Sequence, residues 1–181
     1  MELVELMELL AEPAYRHMLI NHVPIIGLFV ALLVLLVGLV VRQPALLFTG
    51  LGLVALTAGA SLPVARYGDA AYPIIYDTLD GHGRDWLDYH AELAEVWLPV
   101  LYANALVAVG AILLGVLRPR LLIWAALLTA LLTILGIAGA SSVASAGGKI
   151  QHPEFRLSDP PELALSYQGV ITSARHTDTH S

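Results

Sequence analysis

The chain has 181 residues, 57% of them hydrophobic and only 13% charged, with a mean hydropathy of +0.74. A soluble domain carries about twice that share of charge, which excludes an aqueous globule. The lack of cysteine removes disulfides, thiolate zinc sites, iron–sulfur clusters and covalently attached haem. The net charge of −6 includes no basic tract suited to nucleic acid.

The chain opens on Met1 to Pro13, acidic and without the basic n-region of a secretory signal peptide. There Glu2, Glu5, Glu8 and Glu12 alternate with Leu, Val and Met, a pattern that predicts a short surface helix. Pro13 then either starts a longer helix kinked at Pro24, or Asn21 caps a fresh helix with Pro24 in its first turn. Four stretches long enough to cross a bilayer follow, at about 22–41, 44–66, 91–117 and 120–146. Arg42-Gln43-Pro44 and Arg118-Pro119-Arg120 are very short turns, so each closes an antiparallel helical hairpin. A polar stretch from about Tyr67 to His90 reads as the loop between hairpins. The expected fold is therefore all-α, a four-transmembrane-helix bundle over residues 1–156, with a polar tail over 157–181.

In that topology every histidine and every carboxylate lies on one side of the membrane. Arg42, Arg118 and Arg120 are the ionisable groups of the other. Lys and Arg concentrated in short turns mark the cytoplasmic side. The histidine-bearing face and both termini are then expected in the periplasm of a bacterial inner membrane.

The hairpins carry a short repeat. The first runs from Asn21-His22 to Ala58-Gly59-Ala60-Ser61, the second from Tyr89-His90 to Ala138-Gly139-Ala140-Ser141. Four-letter matches are cheap in Ala- and Gly-rich helices. A true duplication implies a pseudo-two-fold axis along the membrane normal, which would set His22 and His90 across one central site. Gly50, Gly52, Gly59, Gly136 and Gly139 are expected to pack helix against helix, as small residues do in lipid.

His22 and His90 stand at the mouths of the first and third spans, with His17 and His152 as further candidates. Ionisable groups in a bundle face inward or line a cavity, and imidazole is a standard haem ligand. Height limits the pairings. At 1.5 Å per residue, His22 lies about 30 Å from Arg42 and His90 about 42 Å from Arg118. If the first helix continues unbroken, His17 lies about 37 Å from Arg42, closer to the height of His90. Arg66, Lys149 and Arg156 are placed to neutralise haem propionates. A copper or zinc site from His17, His22, His90 and His152 with Glu92 or Glu95 is the alternative. Asn104, near mid-membrane, suits an interhelical hydrogen bond.

Asn21-His22-Val23-Pro24, His90 at the third span and Gly147-Gly148-Lys149-Ile150-Gln151-His152-Pro153-Glu154-Phe155-Arg156 resemble an uncharacterised family of small bacterial four-helix inner-membrane proteins. The resemblance covers about residues 14–156 and implies the same membrane bundle, with a haem role suggested by its histidines. It transfers no activity. The residues themselves point to a b-type cytochrome-like electron-transfer or accessory subunit more than to a stand-alone enzyme. The expected partners are the lipid bilayer and a periplasmic redox protein or larger membrane complex, with a homodimer also compatible. Gly-x-Ser-x-Gly and phosphate-loop patterns are absent from the sequence.

Overall fold

Prolines stand at most of the helix breaks, while Pro73 and Pro99 lie inside unbroken helices. In the computed structural model, which describes residues 3–161, α1 spans Leu3–Ala11, α2 Pro13–Ile20, α3 His22–Val41 and α4 Pro44–Gly59. The chain continues through α5, Ser61–Tyr76, and α6, Gly81–Leu117, to α7, Leu122–Gln151. A proline ring inside a helix clashes with the carbonyl four residues back. For Pro24 that carbonyl belongs to Ile20, where α2 stops; for Pro63 it belongs to Gly59, where α4 stops. Both breaks are slight. Asn21 keeps helical dihedrals (φ −62°, ψ −24°) and its N–H donates to the His17 carbonyl, so α2 leads into α3 as one interrupted rod. Asn21 therefore does not cap a fresh helix through its side chain.

Four of these rods are long and apolar enough to cross a membrane: Pro13–Val41, Pro44–Tyr76, Gly81–Leu117 and Pro119–Gln151. The protein is a multi-pass membrane protein. At 1.5 Å per residue they run about 44 to 55 Å, against a hydrocarbon core of about 30 Å. The excess projects on the histidine-bearing side, which changes the loop predicted from about Tyr67 to His90. Only residues 77–80 of it are non-helical. Polarity signals where the chain leaves lipid, but a helix bonds its own backbone and continues into water wherever a neighbour packs on it. Asp80 starts α6 by accepting the Gly83 N–H at 2.7 Å.

Each hairpin keeps one antiparallel register along its length. Arg42 closes the first in the left-handed conformation (φ 52°), and Pro44 takes the first turn of α4. From there Gly38 lies against Leu46 and Leu47, Gly50 against Leu35, and Gly27 against Thr57. In the second hairpin Gly115 meets Leu122, Gly136 meets Leu101, and Gly139 meets the Trp97 ring. Gly50, Gly136 and Gly139 thus pack as expected, whereas Gly52 and Gly59 face open space.

The hairpins then pack on each other, α3 against α7 and α4 against α6. Leu28, Leu35, Leu51, Val54, Ala108 and Ala126 fill a dry aliphatic core. Val40, Leu56 and Leu106, each more than 70% exposed, turn outward to lipid. Asn104, fully buried, donates from Nδ2 to Thr133 Oγ1 at 3.2 Å and joins α6 to α7. Thr133 also donates to the Thr129 carbonyl at 2.8 Å. Nearer the histidine end a second, aromatic cluster gathers Trp86, Leu87, Leu93, Ala146 and Ile150.

Side-chain hydrogen bonds between membrane helices average about 0.6 kcal/mol and reach about 1.7. Asn104→Ala leaves Thr133 its backbone acceptor, so it is expected to cost about 1 kcal/mol. Reversible unfolding in mixed detergent micelles measures this, with helix content unchanged before the transition.

Candidate functional site

Helical rotation decides which histidine enters the bundle. His17 and His22 are five residues apart, a turn of about 140° around the axis, so one faces inward and the other outward. His17 is the inward one, half-buried; His22 is exposed. The His17 ring lies 6.3 Å from the His90 ring, centre to centre, with the planes at 87°. The structure therefore brings together His17 and His90 and leaves His22 outside. His152 also stays outside: it is exposed beyond the end of α7, bonded to Glu154 at 2.9 Å and tilted over Phe155. His82 is an exposed residue of the first turn of α6, 3.4 Å from Asp159. His176 and His180 lie outside the described residues.

Both imidazoles are tied down by the same atom. His17 Nδ1 bonds the Val64 carbonyl of α5 at 2.9 Å, and His90 Nδ1 bonds the Val143 carbonyl of α7 at 2.9 Å. A carbonyl can only accept, so each Nδ1 carries a proton; in the neutral ring Nε2 is then the nitrogen left as a donor for a metal. Fixing the tautomer through the distal nitrogen is how ligating histidines are oriented. Glycines line the same spot. Gly68 backs onto the His17 ring and Gly147 onto the His90 ring, each so closely that a Cβ would press on it.

Sequence reasoning missed Val64, Gly68 and Val143. The signal was available: past the Ala-Gly-Ala-Ser repeat, both strings continue to Val-Ala-x-x-Gly, at residues 64–68 and 143–147. That longer match pairs His17 with His90, where the shorter one paired His22 with His90. One further polar group faces this region. Asn21, four residues after His17 and on the same helix face, has its Oδ1 sealed from solvent with no partner among the described residues.

The remaining candidates separate. Arg156 is committed elsewhere: its guanidinium, with the side chain only 10% exposed, donates to the Lys149 carbonyl at 2.7 Å and the Ile150 carbonyl at 2.6 Å. It also reaches Asp80 at 3.2 Å. It thus caps α7 and clasps it to the start of α6, and is not free for a propionate. Lys149 lies over the Trp86 ring at 4.2 Å, and Arg66 is exposed on α5 between Val64 and Gly68. Glu95 is exposed. Glu92 is half-buried near Tyr72, whose hydroxyl donates to Asp88. Among the described residues no three histidines or carboxylates converge to hold a metal ion. His22 and His152 are exposed, and the expected copper or zinc set of four histidines with Glu92 or Glu95 is not gathered among the described residues.

Fold and site together define a four-helix membrane bundle with an imidazole pair at its polar end. No family model matches the chain, and no curated protein or solved structure does either.

The clasp is open to test. The Gly83 N–H, helped by Arg156, holds the Asp80 carboxyl below its ordinary range. The unfolded carboxyl takes up its proton near pH 4, and the folded one only at lower pH. Stability from the clasp is therefore complete above about pH 5 and drains away as pH falls through that range. Asp80→Asn is expected to flatten this acid limb of the thermal unfolding midpoint. Arg156→Ala is expected to cost about 2 kcal/mol at neutral pH, from two charged hydrogen bonds to helix carbonyls.

Proposed function

We propose that this protein is a membrane-embedded, b-type cytochrome-like electron-transfer protein whose haem is held between His17 and His90. The observation that carries the reading is the 6.3 Å separation of the two ring centres. Rings this close could both reach one metal ion through nitrogens about 2 Å from it. The donor set fits as well. Two neutral imidazoles with the Nδ1 atoms spent on carbonyls offer two Nε2 atoms and no third protein ligand among the described residues. That suits an iron whose other positions a macrocycle fills, and it suits a tetrahedral zinc site poorly. The Cβ-less surfaces at Gly68 and Gly147 make room for rings held hard against helix backbone.

Haem bound there would supply one-electron exchange. The protein's part is to hold both imidazoles in one tautomer, to keep water from them with the packed rods, and to set the charge nearby. Arg66 and Lys149 stand on the two helices that carry the carbonyl acceptors, where cations favour propionates. On this reading the histidine end faces the periplasm of a bacterial inner membrane, as the basic Arg42, Arg118 and Arg120 turns favour. A periplasmic redox protein or a larger membrane complex would exchange electrons there.

Reduced, detergent-purified protein is expected to show the sharp visible bands of a six-coordinate haem b. His17→Ala and His90→Ala should each abolish them, and His22→Ala should leave them in place. A spectrum of protein alone after expression with ample haem overturns the reading. Stoichiometric copper or zinc without haem transfers the site to the metal alternative.

A further inference from the structure

The site is bonded in the same way twice. A helix carbonyl points along the axis towards the N–H four residues on. An imidazole that reaches this carbonyl from the side must therefore lie across the residue at that fourth position. Val64 and Gly68 have this spacing in α5, and Val143 and Gly147 have it in α7. A Cβ on Gly68 would stand 3.0 Å from His17 Nδ1, and one on Gly147 would stand 3.1 Å from His90 Cε1. Real Cβ atoms rarely come so near, so the ring would have to give way by a few tenths of an ångström. The acceptor strings share their order, Ala-Gly-Ala-Ser then Val-Ala-x-x-Gly, and differ by one inserted residue, Leu62-Pro63 standing where Ser142 stands. The inserted residue falls just after the break at Ala60, beside Pro63.

We infer that the two hairpins carry duplicated half-sites, one of His17, the Val64 carbonyl and Gly68, the other of His90, the Val143 carbonyl and Gly147. Gly68 and Gly147 are positioning residues: each sets the depth at which its imidazole sits, and an occupant between the rings is gripped equivalently from both sides. Haem as that occupant rests on the reading above; the pairing of the half-sites does not. The local two-fold axis runs along the bundle, because both hairpins descend and return in the same sense.

Alanine at either glycine tests this without endangering the fold, since it favours helix more than glycine does. Gly68→Ala and Gly147→Ala are each expected to shift the absorption maximum and the low-spin iron resonance of bound haem, in the same sense, while the helix content holds. Gly148→Ala, next in sequence and facing open space, should move neither. A shift from Gly147→Ala alone, or from neither glycine, overturns the inference. Nitrogen-15 spectra of the imidazoles decide the matter even if wild-type protein carries no haem. Both His17 and His90 should then show protonated Nδ1, each perturbed by alanine at its own glycine. Two differing tautomers, or rings indifferent to the alanines, would refute the duplication, whereas a missing haem spectrum with matched rings would remove only the haem reading.

Discussion

Both hairpins hold one antiparallel register from the turn to the outer end, and the imidazole pair exists only while that register is kept. Close approach at Gly38, Gly50, Gly115 and Gly136 sets it inside the membrane. Lipid gives apolar side chains little reason to prefer one another over acyl tails, so intimate backbone contact and a few polar bonds must fix the alignment. Asn104 with Thr133 supplies one such bond. Above the aliphatic core the same registers carry His17 to Gly68 and His90 to Gly147. A slip of one residue in either hairpin would rotate its ring by about 100° and destroy the pair.

The electrostatic setting follows from the same geometry. Donation from Nδ1 to a carbonyl satisfies the one N–H of a neutral imidazole. The carbonyls of Val64 and Val143 sit within helices and each has a second lone pair to offer. The bonds therefore take nothing from the helical ladder. Carboxylates such as Glu5, Glu12, Asp69 and Glu95 stay exposed around this end, and Arg84 and Arg156 are spent on backbone carbonyls.

Much of the fold was legible in the sequence because its causes are local. Hydrophobic runs of membrane length, two basic turns too short for anything but hairpins, and Asn104 as a polar link each depend on a few neighbouring residues. The length of the rods was not legible. Polarity between Tyr67 and His90 reports exposure to water, while helicity there depends on packing against α2 and α7 and on the Asp80 cap. The site was half legible. Counting heights favoured His17 over His22 as the partner of His90, but the Asn21-His22 match drew attention to the exposed ring. Five residues of helix, with only a slight break at Asn21, place the two on different faces. The carbonyl acceptors are harder to read, since any residue provides a carbonyl; the shared Val-Ala-x-x-Gly string, with its glycine four places on, is the sign of which one is used.

The site requires His17 and His90 to be neighbours and His22 to lie apart from them. Solid-state NMR of histidine-labelled protein in lipid bilayers measures this directly through transfer of magnetisation between rings. A cross-peak between the imidazoles of His17 and His90, with none linking His22 to His90, is the predicted result. A His22–His90 cross-peak, or isolated rings at positions 17 and 90, would contradict it.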